Sequence, residues 1–302
     1  MSPATSGAAG AGAASEPFWP SVYGPDDEAG ATNEISSEGV VGAAGLVRNG
    51  RVFDLAHVLD DSVPAFPGRT FRQFLTTDPH RRVGRNEVNW IVEYVSAPSQ
   101  MGTHVDGLNH LHSGERMYNG HRLDDVVAEW GTTRLGIETL PQVVTRGVLV
   151  DVAASRHIDR LAPGDVITPD DAETALSAAG VKVGPGDAVL FHTGWGSLWG
   201  VENQVYVSGE PGPGLDLAHW LVERRVAVTG CDTWSYGPVP AEDPEEPFVV
   251  PQTLNTRHGV VVVENLRLTE LAGADTAEFL FVLSHPKLRG ATGAWVAPLA
   301  IT

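Results

Sequence analysis

Ser99-Gln100-Met101-Gly102-Thr103-His104-Val105-Asp106-Gly107-Leu108-Asn109-His110 is the stretch on which the reading of this chain turns. Its polar groups Gln100, His104, Asp106 and His110 follow an extended run and enter a glycine-containing turn. There, backbone bends bring together side chains that a straight strand would send to opposite faces. Imidazole, carboxylate and amide oxygen form a ligand set for a divalent metal. A lone histidine more often caps a turn or fills a core position, but four such groups beside Gly102-Thr103 favour the metal reading.

Outward from this stretch, short apolar runs rich in Val, Ile and Phe recur between turn signals at 52–57, 88–95, 147–153, 188–192, 226–231, 259–264 and 278–283, and each reads as a strand. Two segments read as helices. Thr168 supplies an N-cap, Pro169 a first-turn proline, Asp170 and Asp171 an acidic first turn, and Gly180 a stop. The second helix spans 215–224, and a helix-compatible stretch at 36–47 ends at Asn49-Gly50. Few helices among many strands, without regular alternation, predict a mixed, β-rich α/β fold rather than a doubly wound sheet. The loops 208–214 and 241–247 read as solvated breaks.

With 302 residues, 42% hydrophobic and 19% charged, the chain can bury a sizeable core. A formal charge of −18 repels phosphate backbones and anionic lipid, which excludes nucleic acid and membrane surfaces as partners. The single cysteine, Cys231, permits neither an internal disulfide nor a cysteine metal cluster; it reads as a small buried hydrophobe and fits a reducing, cytoplasmic location. Residues 1–18 carry neither a basic n-region nor a sustained apolar run and read as a flexible tail rather than a signal peptide. An N-terminal arm over 19–50 and one domain over 51–302 complete the expected organisation. Gly194-Trp195-Gly196-Ser197 lacks the spacing of a serine-hydrolase elbow, and no glycine-rich nucleotide motif is present.

The 99–110 stretch resembles the signature His-x-Gly-Thr-His-x-Asp-x-Pro-x-His of the cyclase family of metal-dependent hydrolases, which includes bacterial kynurenine formamidase and isatin hydrolase. Gly102, Thr103, His104, Asp106 and His110 match at the same spacing. Val63-Pro64-Ala65-Phe66-Pro67-Gly68 is similar to the family's substrate-pocket turn, His192-Thr193-Gly194-Trp195 to its central strand end, Val263-Glu264-Asn265-Leu266 to its late acidic motif, and Leu288-Arg289-Gly290-Ala291-Thr292-Gly293 to its final strand. Two further segments, 23–28 and 118–120, resemble a longer branch of the family that includes trans-dienelactone hydrolase. Departures occur where the family has histidine ligands, at Gln100 and Gln252, and where it has a pocket tryptophan and a motif proline, at Phe66 and Leu108.

The resemblance implies a swivelling β/β/α domain of the kynurenine formamidase type and a homodimer or homotetramer. It implies metal held by His104, Asp106 and Glu264, with Gln100 and Gln252 as replacement ligands, and His110 as general acid/base with Glu264 beside it. Carboxamide oxygen is a harder, weaker donor than imidazole, so the expected cofactor is one divalent ion, with Mn2+ favoured relative to Zn2+. His258 is a replacement ligand if the local alignment shifts. The implied activity is hydrolysis of a C–N or C–O acyl bond in a small cyclic or aromatic substrate: a cyclic amide, lactone or arylformamide. Phe66, Trp90, Trp195 and Trp234 are available as an aromatic wall, Phe66 foremost. A binding protein that has lost the chemistry, or a metal-dependent cyclase, stands as the alternative.

Overall fold

The computed structural model describes residues 18–274 and 276–302. The tail expected over 1–18 falls almost wholly outside them. Its centre is a nine-stranded sheet. In chain order, the strands used below are β1 (Val52–Asp54), β2 (Arg72–Leu75), β3 (Glu93–Ser96), β4 (His104–Asp106), β5 (Val143–Asp151), β6 (Ala188–His192), β7 (Val228–Cys231), β8 (Val261–Glu264), β9 (Glu278–Leu283), β10 (Gly293–Trp295) and β11 (Leu299–Ile301). β2 and β3 form a separate antiparallel ribbon. The others run in the spatial order β1-β11-β9-β5-β6-β7-β8-β4-β10. β5 to β8 are parallel, and the strands on both sides of them are antiparallel, so the sheet is mixed, as the sequence predicts.

The central strands read as continuous apolar runs because both faces are covered. Val148, Val150, Val189, Phe191 and Val262 join one core, shared with helices α2 (Pro169–Ala179) and α3 (Leu215–Glu223) through Ala172, Leu176, Leu217 and Leu221. Leu149, Leu190, Val228, Val261 and Val263 join the other. That second core contains Phe53 and Ala300 from one end of the sheet and Val105 and Ala294 from the other, so the sheet curls over its own face. A period of two in the side chains thus feeds two cores from each strand.

The local signals for helices hold. Thr168 caps α2 in a reciprocal capping box with Asp171, and Gly180 ends it at φ 69°, a left-handed conformation that favours glycine. Helix α1 (Ser37–Ala44) starts at the Ser36 cap and is shorter than the predicted 36–47. The two segments of the longer branch meet: the Tyr118 hydroxyl lies 2.7 Å from Asp27 Oδ2, and the Asn119 carboxamide donates to Gly24 O at 2.9 Å and accepts from Ser21 N at 2.8 Å.

The predicted strand at 88–95 is shorter and shifted, and forms half of the β2–β3 ribbon. The loop 208–214 is not solvated. Residues 209–214 are buried, and Glu210, fully buried, accepts from the backbone N–H groups of Trp234 and Ser235. The loop 241–247 is exposed for most of its length, as expected, and Cys231 is a free, buried side chain. Among the described residues no helix is long and apolar enough to cross a membrane.

Candidate metal centre

His104 and Glu264 face each other across the β8–β4 pair, and Asp106 lies two residues along the same strand face as His104. Three local devices set this up. Gly102 makes the turn into β4 at φ 60°, a left-handed conformation that favours glycine, and a Cβ there would lie 2.1 Å from Leu59 Cδ2 and displace that side chain. The Thr103 hydroxyl donates to Asn265 O at 2.6 Å and so ties the residue before His104 to the residue after Glu264. The Asn265 carboxamide in turn accepts from the Tyr206 hydroxyl at 2.8 Å.

His104 Nδ1 lies 2.8 Å from Gly102 O, which assigns the proton to Nδ1 and leaves Nε2 as an acceptor. That lone pair faces Glu264 Oε2 at 3.3 Å and Asp106 Oδ1 at 3.6 Å. Neither His104 Nε2 nor Asp106 Oδ1 has a hydrogen-bond partner, although both are buried. Burial lowers the pKa of the His104 imidazole and keeps it neutral. It raises that of Asp106, and it pushes Glu264 up to about 8 against the opposing charges of His110 and Arg69. When both carboxyls are ionised, three acceptors share one buried space, and a cation among them would relieve their repulsion. The ligand atoms of His104, Asp106 and Glu264 all fall within 4.8 Å of one another, and an imidazole with two carboxylates is a donor set for a divalent ion. These residues fit the metal that the sequence resemblance implies.

His110 is the accessible member of the group. Its side chain is 24% exposed against 2% for Asp106, and Nε2 stands 4.0 Å from Asp106 Oδ1. Its backbone N–H closes a turn on Gly107 O at 3.0 Å, which carries the ring back beside the strand.

The two glutamines differ. Gln100 donates to the Thr292 hydroxyl at 3.1 Å, beside Gly293, which is the register partner of Asp106. Gln252 is engaged at both ends within the protein, donating to His112 O at 2.7 Å and accepting from Arg257 at 3.4 Å. His258 packs edge-on against Phe18, and burial lowers its pKa to about 4; it is a residue of the N-terminal arm contact and not of the centre.

Of the aromatic wall, Phe66 and Trp234 meet edge to face with centroids 5.0 Å apart, and Phe248 adds a third ring 6.2 Å from Phe66. Trp195 is buried with Leu198 and Tyr206, and its indole N–H donates to Tyr206 O, so it is a core residue and not part of a wall. Trp90 lies on the loop of the exposed ribbon.

Sequence reasoning missed Arg69. Its guanidinium donates to Gln100 O at 2.7 Å and lies 5.3 Å from the centre of the Phe66 ring, and its charge is felt at His104, Asp106 and Glu264. The one signal available was its place directly after the Pro67-Gly68 turn. Glu210 and Phe248 lay in loops and gave no periodic signal.

With this geometry established, similarity to known proteins places the chain. The family model Cyclase ("Putative cyclase") matches residues 53–238. The chain belongs to this cyclase family. A crystal structure described as a novel cyclase is 30% identical, with TM-score 0.84, over 93% of this chain and 96% of that one. Isatin hydrolase A from Ralstonia solanacearum is 23% identical, with TM-score 0.63, over 86% and 95%. Isatin hydrolase A from Labrenzia aggregata, bound to benzyl benzoate, is 20% identical, with TM-score 0.62, over 86% and 96%. No curated protein sequence matches. The cyclase-family fold is therefore shared over nearly the whole chain, and the His104–Asp106–Glu264 centre sits within it.

Proposed function

We propose that this cyclase-family chain is a divalent-metal-dependent hydrolase that opens a cyclic amide or lactone, or cleaves an arylformamide. The observation that carries the reading is the convergence of His104 Nε2, Asp106 Oδ1 and Glu264 Oε2, the first two buried without a hydrogen-bond partner. One ion, Mn2+ or Zn2+, held by these three side chains, would polarise an acyl carbonyl and lower the pKa of bound water from 15.7 to about 7.

The chain's own residues supply the rest. His110, partly accessible and beside Asp106, takes a proton from the attacking water and returns it to the leaving nitrogen or oxygen. Phe66 and Trp234 flank a planar ring, with Phe248 behind them. Opening a lactone or amide leaves a carboxylate, and Arg69 meets that charge. Among the described residues Arg69 has a backbone carbonyl but no carboxylate partner within 4.0 Å, so donors remain for substrate. Isatin, the substrate named for similar folds, is a cyclic amide fused to an aromatic ring and matches this chemistry.

The test is turnover of isatin, an arylformamide and a dienelactone by the purified protein, before and after chelation and add-back of Mn2+ or Zn2+. Chelator-sensitive turnover with the mass of one water added supports the proposal. Turnover without mass change would assign the site to cyclisation. In the same assay His110→Ala retains its metal and loses on the order of 10^2 to 10^4 in kcat; near-wild-type turnover by this variant removes His110 from the mechanism.

A further inference from the structure

The strand register carries the face of the metal centre one strand further than its ligands. Glu264 on β8 pairs with His104 on β4, and His104 pairs in turn with Trp295 on β10. Register partners on antiparallel strands project to the same side. Val263, Val105 and Ala294, one residue away on each strand, all enter the second core, so Glu264, His104 and Trp295 stand on the opposite face. At a strand spacing of about 4.8 Å, Trp295 flanks His104 on one side as closely as Glu264 does on the other. Asp106 lacks such a neighbour because its partner is Gly293. The Gln100 carboxamide takes the space there: a Cβ at Gly293 would lie 2.7 Å from Gln100 Nε2.

One short segment ties the two ends of this row together. Phe66 packs edge to face on Trp234, which follows β7 on the Glu264 side. Arg69 donates to Gln100 O, and Phe71, buried, has its ring 6.1 Å from that of Trp295. Residues 66–71 thus run from Trp234 to Trp295, and the centre lies between the two tryptophans. Trp295 Nε1 is buried and, among the described residues, has no hydrogen-bond partner. It does not bond His104 Nε2, which is likewise without one. A buried N–H with no acceptor carries a desolvation cost that a ligand supplying the acceptor removes.

We propose that Trp295 is a specificity-determining residue that touches substrate, its indole N–H donating to a second acceptor oxygen on the atom next to the reacting acyl carbon. The inference rests on the hydrolase reading for the position of the acyl group. Arg69 meets the carboxylate that ring opening leaves, so the donor on the His104 flank remains for another oxygen. That donor belongs to a residue one strand spacing from a ligand residue, which suits an oxygen adjacent to the acyl group and not one across the ring. The substrates selected are planar acyl compounds with two neighbouring oxygens.

The test is equilibrium binding of two probes to the full, Zn2+-loaded chain by titration calorimetry. Phenylglyoxylate carries a keto oxygen beside its carboxylate, and phenylacetate has a methylene there; both offer a ring and a carboxylate. Wild type is expected to bind phenylglyoxylate about 5- to 100-fold more tightly. Trp295→Phe keeps an apolar ring and drops the donor, and it should abolish this preference by weakening phenylglyoxylate alone, with metal content unchanged by elemental analysis. The chain has eight tryptophans, and the indole N–H resonance missing from the 15N spectrum of the variant identifies that of Trp295. In wild type this resonance should move downfield with phenylglyoxylate and stay in place with phenylacetate. Equal weakening of both probes would make Trp295 a packing residue and overturn the proposal. So would a variant that keeps the preference, a wild type that shows none or binds neither probe, or an indole resonance that phenylglyoxylate leaves in place. Failure of the hydrolase reading is distinct: no chelator-sensitive turnover of isatin, arylformamide or dienelactone, with the preference between the probes intact.

Discussion

Glu264 and His104 are register partners on antiparallel strands, and their side chains meet with Oε2 and Nε2 3.3 Å apart. The backbone pairing therefore fixes the separation of two ligand atoms that are 160 residues apart in the chain. Asp106, on the same strand as His104, completes the set at no further topological cost.

Metal should be a stability determinant as well as a reagent. Without a cation, two buried carboxyl groups and an imidazole lone pair face one another; a bound ion present at about 100 times its Kd adds roughly 2.7 kcal/mol. Chelation should lower Tm, and add-back should restore it. In Glu264→Gln the metal content should fall at least tenfold by elemental analysis, and the add-back gain in Tm should vanish.

Arg69→Gln should retain metal and fold, because the side chain lies at the edge of the ligand set and contacts Gln100 only through a backbone carbonyl. Loss of a charge-assisted contact to a developing carboxylate is worth about 1.5–3 kcal/mol, or roughly 10- to 100-fold in kcat/KM. Unchanged kcat/KM on a substrate that releases a carboxylate would show that Arg69 serves only to brace Gln100.

His57 stacks on Trp199 at 4.2 Å, and burial, aided by the charge of Arg267, lowers its pKa from 6.5 to about 4. The unfolded chain binds this proton at higher pH than the folded one does. Stability from this group is therefore complete above about pH 6.5 and is lost as pH falls towards 4, by about 3 kcal/mol in all. His57→Phe keeps the stack and removes the titration. A plot of unfolding free energy against pH should be shallower for the variant between pH 6.5 and 4; parallel plots would contradict the assignment.

Gly147 is the register partner of Phe279, and a Cβ at Gly147 would lie 2.0 Å from the Phe279 ring. The ring takes the space that a side chain would occupy in the middle of β5. Gly147→Ala should cost about 1–3 kcal/mol by overpacking, read as a shift in the urea midpoint at constant m-value, despite the better intrinsic propensity of alanine.

Legibility followed the range of the interactions. The α2 boundaries were written in a capping box, a proline and a glycine that act within a few residues of one another. β6 and β9 were bounded correctly because their apolar runs end at turns. The ribbon strand β2 was missed because Arg72-Gln73-Phe74-Leu75 is too short and mixed to show a period, and β4 was missed as a strand because its pairing comes from Glu264 and Trp295, far along the chain. The loop around Glu210 looked polar and was read as solvated; its carboxylate is instead satisfied by backbone N–H groups of residues 234 and 235.

The sequence by itself pointed to the mixed α/β class and the family likeness; residue type and local spacing singled out His104, Asp106 and His110, and the likeness added Glu264. Only the tertiary structure decided which of the implied ligands converge. It brought Glu264 onto His104, engaged Gln252 with His112 and Arg257, put Trp195 into the core and carried Arg69 to the centre. Each of these depends on strand register and on contacts between residues distant in sequence. A side chain's available lone pairs are set by the partners it meets after folding, and no local pattern records them.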